Sequence, residues 1–270
     1  MKTRFMALLA VVSVAILGVS SVLPVMGQEW TVTGDDEWCD HDSNERYCEV
    51  REITLAADRA VIAVDGEPNG GIKVRGWDKD EILLRARVRV WRGSREAARE
   101  VAGEIEIVTR KRIFAKGPKQ HRRRGWSVSY ELMVPKKSNL SLETLNGGIS
   151  IDDVQGEIDF DATNGGVRLT GLSGDVRGRT TNGGLHIELG GSHWEGEGLD
   201  VSTTNGGVNL YLPKGYSAEL VAGTTNGGIH VDFPITVQGR IGKKLRANLG
   251  KGGATVRAMT TNGGVRIRQG

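Results

Sequence analysis

The stretch TTNGGLHIEL, residues 180–189, contains the two signals that decide the fold of this chain. In its second half, apolar Leu185 and Ile187 alternate with polar His186 and Glu188, a period of two that is typical of a β-strand with one buried face. Its first half is a threonine pair followed by Asn-Gly-Gly, and such residues interrupt regular structure. The stretch therefore predicts a turn that leads directly into a short strand.

The same pattern recurs through the C-terminal half of the chain. Asn-Gly-Gly begins at seven asparagines, which are Asn69, Asn146, Asn164, Asn182, Asn205, Asn226 and Asn262. From Asn146 onward the intervals are 18, 18, 23, 21 and 36 residues, the last being twice eighteen. A weaker strand follows some of these turns by about ten residues, as at 155–160 and 173–178. We therefore expect coils of about eighteen residues with two short strands each.

Two architectures satisfy this repeat. In a β-solenoid each coil stacks its apolar pair on the next coil, the asparagines align as a ladder, and the glycines supply positive φ or close approach between coils. In an antiparallel β-meander or sandwich, Asn-Gly would be a two-residue type I′ hairpin turn. The regular spacing favours the first. We predict an all-β, β-solenoid-like stack of Asn-Gly-Gly repeats, with the meander or sandwich as the alternative.

The recurring TTNGG, followed by alternating Val and Ile, resembles the bacterial DUF4097 family of adhesin-like β-repeat proteins. The resemblance extends from about residue 60 to residue 270 and includes VDGEPNGGIKVRGWDKDEI at 64–82. It implies a β-repeat fold and an adhesin-like role, and it brings no assigned catalytic residues.

The N-terminus has the pattern of an export signal. Lys2 and Arg4 precede an uncharged apolar run, and small residues follow it, which predicts a signal peptide at 1–27 with cleavage after Gly27. An uncleaved membrane anchor is the alternative. We therefore expect the chain to be exported to the periplasm, the cell surface or the extracellular space.

An acidic segment at 28–58 follows the signal. Cys39 and Cys48 are the only cysteines, and an oxidising compartment predicts a disulfide between them. A metal site needs more ligands than this pair supplies. The rest of the chain, residues 59–270, is predicted to be one adhesin-like β-repeat domain, with N-terminal strands and a basic loop at 59–135 and regular repeats at 136–270.

The N-terminal strands surround a short helix near 94–103 and a polarised loop. Ser94 is a suitable N-cap for the helix. The loop is a basic cluster without acidic neighbours, made of Arg110, Lys111, Arg112, Lys116, Lys119, Arg122, Arg123 and Arg124. It predicts a patch for an anionic ligand, with Trp126 and Phe114 beside it. A solvated loop is the alternative, and a third hypothesis is that the acidic segment screens the cluster.

No catalytic motif accompanies the repeat, so we expect neither an enzyme nor a cofactor. His186 and His230 share an outward position, but the coil of Asn209 is expected between them. The resulting separation of about 9.6 Å is too large for one metal ion, so no metal is predicted. Three carboxylates could still serve a polysaccharide-acting enzyme from the outer sheet, namely Asp152, Glu188 and Asp232.

We predict an exported envelope or surface protein that acts as a non-catalytic, adhesin-like binding module. Its partners would be envelope polymer, anionic lipid or a protein surface. We expect a stripe of Arg168, His186, Asn209 and Tyr211 to contact polymer or protein. A formal charge of +3, or +1 without Lys2 and Arg4, does not imply a nucleic-acid partner. The alternative is a scaffold that self-associates through an unprotected terminal coil at 260–268; an enzyme ranks below both.

Overall fold

A computed structural model describes residues 29–34, 46–58, 60–120, 125–235 and 242–270. The elements as far as residue 135 are β1 (Thr31–Thr33), β2 (Arg46–Ala56), β3 (Ile62–Asp65), β4 (Ile72–Trp77), β5 (Glu81–Trp91), α1 (Arg95–Gly103), β6 (Glu106–Val108), β7 (Phe114–Lys116) and β8 (Gly125–Pro135). The signal peptide predicted at 1–27 lies outside the described residues.

After residue 135 the strands recur with the spacing of the Asn-Gly-Gly repeat. They are β9 (Leu140–Asn146), β10 (Ile149–Asp152), β11 (Gln155–Asn164), β12 (Val167–Thr170), β13 (Ser173–Asn182), β14 (Leu185–Glu188), β15 (Gly198–Asn205), β16 (Val208–Leu212), β17 (Ala218–Asn226), β18 (Ile229–Val231), β19 (Lys244–Leu249), β20 (Thr255–Asn262) and β21 (Val265–Gln269).

Most of these strands form two sheets around one apolar core. Sheet A has the order β1-β2-β5-β8-β4-β10-β12-β14-β16-β21-β18, and sheet B has the order β19-β17-β20-β15-β13-β11-β9-β3. The apolar residues of the alternating pattern point inward from both sheets into a single buried cluster. Ile151, Val176 and Leu210, for example, are fully buried. The polar residues between them remain on the outer faces.

The predicted β-solenoid is confirmed in the repeat region. Each coil contributes one strand to sheet B and, after its Asn-Gly-Gly corner, one strand to sheet A. Consecutive strands β10, β12, β14 and β16 pair in parallel, so that Ser150 lies beside Arg168 and Arg168 lies beside His186. The antiparallel meander is therefore wrong for this half of the chain.

The corner of each coil explains the Asn-Gly-Gly signal. The asparagine amides form a ladder in which Asn164 Nδ2 donates to Asn146 Oδ1 at 2.9 Å and Asn182 Nδ2 donates to Asn164 Oδ1 at 2.8 Å. The first glycine is required by close approach, because a Cβ on Gly165 would overlap the carbonyl oxygen of Gly147. At most of these corners it is therefore close approach, and not positive φ, that selects glycine.

The last coil is not in the position that the spacing predicted. Among the described residues of the 36-residue interval before Asn262, no coil lies between β18 and β20. Instead the chain turns back as β19, which pairs antiparallel with β17. The final coil, β20 and β21, then inserts between its predecessors: β20 lies between β15 and β17, and β21 lies between β16 and β18. Coil order in space therefore differs from order in the chain.

This arrangement also corrects the predicted open end at 260–268. Those residues lie in β20 and β21, which have a neighbour on each side. The terminal coil is the one formed by β17 and β18. Its strand in sheet B is covered by β19. Its strand in sheet A, the three-residue β18, forms one of the two edges of that sheet. A short edge strand is a poor template for association.

The N-terminal strands extend sheet A in antiparallel fashion. β2 pairs with β5, and β5 pairs with β8, through strands of 11 residues each. The predicted helix is confirmed as α1, with Ser94 as its N-cap, and it buries Ala98, Val101 and Ala102. Its C-terminal end is bound by Arg51, whose guanidinium donates to the carbonyl of Ala102 at 2.6 Å and also to that of Ile105.

Candidate ligand-binding groove

The outer face of sheet A carries two aligned features that run across the coils. The first is a polar row, in which each strand contributes the residue two places after its second glycine: Lys73, Ser150, Arg168, His186, Asn209, Arg266 and His230. Neighbouring members lie on adjacent strands, so the row advances by about 4.8 Å per residue. It places one side chain of each coil in a straight line.

The second feature is a glycine column formed by the second glycine of each Asn-Gly-Gly: Gly71, Gly148, Gly166, Gly184, Gly207, Gly264 and Gly228. Four of these glycines and five members of the polar row line a groove of about 610 Å³. Because the glycines lack side chains, the floor of this groove is backbone. The groove is bounded at the end near β8 by Arg87 and Glu131, which form an ion pair at 3.3 Å.

The charges of the polar row are available to a ligand. Lys73, Arg168 and Arg266 are exposed, and within the described part of the chain none of the three forms an ion pair or a hydrogen bond. The next outward row differs, because Arg75 pairs with Asp152 at 3.1 Å and Arg268 lies 3.9 Å from Asp232. The uncompensated positive charge of this face is therefore concentrated in the polar row.

Side chains at the centre of the row are held in place by packing. The ring of His186 lies 5.0 Å from that of Tyr211, and the Tyr211 hydroxyl accepts a hydrogen bond from Arg268 at 2.9 Å. Burial lowers the pKa of His186, and the charge of Arg168 lowers it further, against the opposing effect of Glu188. His186 is therefore a neutral hydrogen-bonding group at neutral pH.

The histidine separation predicted from the sequence is wrong. Asn209 and Arg266 both lie between His186 and His230, because the last coil is inserted there. The two histidines are therefore three strand spacings apart, or about 14 Å, and not the predicted two spacings. Within the described ranges, no group of three or more His, Cys, Asp or Glu side chains is arranged to hold a metal ion.

The three outer carboxylates do not form an acid pair. Asp152 is bound by Arg75, Asp232 lies near Arg268, and Glu188 stays exposed on the strand between them. Glycoside hydrolysis commonly needs one carboxylic acid that keeps its proton. Two of these three carboxylates instead lie beside a guanidinium, so this arrangement gives no support to acid catalysis.

The basic cluster is only partly described. Arg122, Arg123 and Arg124 lie outside the described residues, whereas Arg110, Lys111, Lys116 and Lys119 are exposed on or after the β6–β7 hairpin. Arg112 is compensated, because it pairs with Asp65 at 3.4 Å and with Glu143. Trp126 cannot insert beside a ligand, since it is buried and its ring nitrogen donates to the Pro118 carbonyl at 2.9 Å.

The acidic segment does not act on this cluster through its described residues. Glu49 pairs with Arg51 at 2.5 Å, and Glu52 pairs with Arg85 at 2.5 Å. Most of the other acids of the segment lie outside the described residues. Cys39 lies there too, while Cys48 is buried in β2. The disulfide thus remains a prediction.

Part of the groove was found from the sequence and part was missed. Of the predicted stripe, Arg168, His186 and Asn209 line the groove, whereas Tyr211 lies in the next outward row beside Glu188. Lys73 and Ser150 were missed, although each occupies the same place after its Asn-Gly-Gly. Reading that one position across all seven motifs would have found them.

No curated protein matches the chain, and no helix in the described ranges has the length and apolar character needed to cross a bilayer.

Solved structures with 10–16% identity resemble it at low TM-scores. One is described as a "putative cell adhesion protein" from Clostridium sporogenes (11% identity, TM-score 0.44, covering 83% of this chain and 100% of that one). Another is a "putative adhesin" from Bacteroides fragilis (11% identity, TM-score 0.40, covering 82% and 96%). The family model Toastrack DUF4097 matches residues 127–268. With that match over half of its length, the chain belongs to the DUF4097 family.

Proposed function

We propose that this chain is an exported protein of the cell envelope or surface that acts as a non-catalytic binding module. The observation that carries the proposal is the outer face of sheet A, where Lys73 and Arg168 line the groove beside a floor of backbone and Arg266 continues the polar row next to Asn209. All three keep uncompensated charge. Such a face on a rigid stack of coils offers many small contacts to an extended partner. It presents polar groups in a line and does not converge them on one reacting atom.

Export is supported by the N-terminal pattern. Lys2 and Arg4, the apolar run and the small residues before Gln28 agree with removal of residues 1–27. An oxidising compartment would also allow the disulfide between Cys39 and Cys48. The test is the intact mass of the protein recovered from the envelope or medium of an expressing bacterium. A chain that begins at Gln28 supports export, whereas a chain that stays in the cytoplasm with residues 1–27 attached contradicts it.

Binding is tested by presenting the mature protein to an array of envelope polysaccharides and lipid vesicles. Salt-sensitive binding to a discrete set of polymers or lipids, with those molecules recovered intact, supports the proposal. Cleavage of a bound glycan would contradict the non-catalytic assignment. Absence of binding to the whole array, by protein whose fold is verified by circular dichroism, would contradict the binding module itself.

The self-associating scaffold is less well supported than the binding module. It depended on an open terminal coil at 260–268, and those strands lie inside the stack. The described coil that does end the stack is covered by β19 in sheet B. Sedimentation of the mature protein over a range of concentrations tests this alternative, since growth of fibres with concentration would restore it.

A further inference from the structure

The two glycines of each Asn-Gly-Gly differ in what the backbone demands of them. A Cβ on the first, such as Gly165 or Gly183, would overlap a carbonyl oxygen of the neighbouring coil. A Cβ on the second glycine has more room: it would be in open space at Gly228, in ordinary contact at Gly166, 3.5 Å from the nearest atom, and tightest at Gly148, 3.0 Å from a carbonyl oxygen. None of the second glycines has the left-handed φ that would require glycine. Backbone geometry therefore demands the first glycine much more strongly than the second.

The second glycine does have an effect on the outer surface. It is the outward residue that precedes each member of the polar row, so its missing side chain leaves the groove open along the whole row. Gly148, Gly166 and Gly184 are exposed there, and they line the groove with their backbone. A flat floor beside a line of polar side chains accommodates an extended chain that crosses the coils.

The spacing of the cations indicates the kind of chain. Lys73 and Arg168 are two strands apart, or about 9.6 Å, and Arg168 and Arg266 are three strands apart, or about 14 Å. A nucleic-acid strand carries a charge about every 3.4 Å, which is far denser. Between the cations lie the neutral hydrogen-bonding groups of Ser150, His186 and Asn209. The row thus matches a polymer with sparse anions among many hydroxyl groups.

A lipid surface matches this face less well. Interfacial binding relies on exposed apolar side chains that enter the bilayer. The large exposed hydrophobic residues of the described chain are Val32, Val61 and Leu145, and none of them lines the groove.

We propose that the groove of sheet A binds an extended strand of acidic polysaccharide that crosses the coils, an inference that rests on the proposed binding function. Carboxylates of the polymer contact Lys73 and Arg168 in the groove and Arg266 one strand beyond it in the polar row. Its hydroxyl groups bond to Ser150, His186 and Asn209, and its sugar rings lie against the glycine column. The two glycines of each motif then have separate roles, the first in stacking the coils and the second in admitting the ligand.

The test measures binding of the mature protein to three carboxylated polysaccharides, polygalacturonate, alginate and hyaluronate, by biolayer interferometry. Carboxyl-reduced polygalacturonate, a single-stranded oligothymidylate and phosphatidylglycerol vesicles serve as comparison ligands. We expect at least one carboxylated polysaccharide to bind more tightly than all three comparison ligands. Tighter binding of the oligothymidylate or of the vesicles would overturn the choice of ligand.

Two groove variants locate the site. Replacing the three cations together (Lys73→Ser, Arg168→Ser and Arg266→Ser) is expected to weaken binding about tenfold or more. Gly166→Gln is expected to weaken it to a similar extent with no change of charge, because the new side chain occupies the floor. Gly166→Ala, whose methyl group only reaches ordinary contact distance, should bind nearly as wild type.

The matched control removes the same charge elsewhere, with Lys214→Ser, Lys244→Ser and Lys251→Ser, three exposed lysines outside both the groove and the polar row. It should change the affinity less than about twofold. A second arm, Arg122→Ser, Arg123→Ser and Arg124→Ser, tests the basic cluster. If only that arm or the control weakens binding, or if Gly166→Gln has no effect, the groove is not the site although the binding module stands. If no ligand binds at all, the binding module fails as well.

Circular dichroism and the thermal midpoint of every variant keep loss of fold apart from loss of binding. All groove substitutions lie on the solvent side of sheet A, and we expect each variant to retain the wild-type spectrum. A weakened variant counts for the proposal only when its spectrum is unchanged.

Discussion

The antiparallel half and the parallel half of sheet A are stabilised in different ways. In the antiparallel half, β2, β5 and β8 are 11 residues long, so each pair of strands is held together by pairing along most of its length. In the parallel half, β10, β12, β14 and β16 have four or five residues each, too few to be stable alone. These short strands depend on the corners that join them to sheet B.

Long strands can tolerate an irregular connection, whereas short strands need a repeated one. The insertion between β5 and β8 contains a helix and a hairpin, and the pairing of the two strands continues beside it. Each short strand instead starts from an Asn-Gly-Gly corner fixed by an asparagine ladder and by threonine hydroxyls such as Thr203, which donates to the Gly183 carbonyl at 2.7 Å. The same sheet thus derives its order from strand length on one side and from corner geometry on the other.

Replacing the first glycine of a corner should lower the free energy of unfolding more than any other change considered for the two halves. Gly165→Ala would force a Cβ onto the Gly147 carbonyl oxygen, and we expect it to lower the free energy of unfolding by at least about 4 kcal/mol. The neighbouring Gly166→Ala should change it by no more than about 1 kcal/mol. Urea denaturation of the two variants measures both values. Equal effects would show that close approach does not fix the corner.

The interleaved order of the coils predicts the next largest effect. Ile267 is fully buried between two coils, so Ile267→Ala should cost about 4 kcal/mol. Ile229, in the terminal coil, is only half-buried, and Ile229→Ala should cost about 1 to 2 kcal/mol. If the coils were stacked in chain order, the ranking would be reversed. Chemical denaturation of both variants distinguishes the two orders.

In the antiparallel half the most sensitive polar residue should be Arg51. It is 13% exposed, pairs with Glu49 and binds the carbonyl groups at the end of α1. Arg51→Ala removes the cation that pairs with buried Glu49 and leaves it the hydrogen bond from the Tyr47 hydroxyl, and we expect a loss of about 3 kcal/mol. Arg179→Ala, which breaks an exposed pair with Asp161 in the parallel half, should cost less than about 1 kcal/mol. Thermal unfolding compares them, and equal losses would contradict this account of Arg51.

The smallest change in the free energy of unfolding should come from adding a threonine at a corner that lacks one. Thr144 and Thr180 flank Ala162 in register, and both donate to a glycine carbonyl, while Ala162 cannot. Ala162→Thr is expected to raise the free energy of unfolding by about 0.5 to 1 kcal/mol through the added hydrogen bond. Thr203→Val is the converse change and should lower it. A destabilising Ala162→Thr would mean that this corner has a different geometry.

The sequence predicts local structure well where one residue pattern has one outcome. Alternation after each Asn-Gly-Gly predicted the strands of sheet A, and Ser94 followed by an apolar face predicted α1, which the structure confirms. The parallel stack also follows from the even spacing of the motifs. These features depend on residues that lie close together in the chain.

Long-range features could not be obtained in the same way. All coils present similar apolar pairs, so the core accepts them in any order, and only the return of the chain through β19 decides that β21 lies beside β16. Similarly, Arg112 is compensated by Glu143, which is 31 residues away. The groove was partly visible, but its glycine floor becomes apparent only when the second glycines are seen to share one face.

The inserted final coil restricts how this molecule could be lengthened. From β9 to β16, neighbours in the chain are neighbours in space, so one more eighteen-residue unit could be spliced in and would extend both sheets by one strand. After β16 the same addition would separate β17 from β20 or β15 from β20 and disrupt the reversal through β19. Additional repeat units could therefore be inserted in the middle of the stack but not at its C-terminal end. Each added unit would lengthen the groove by about 4.8 Å.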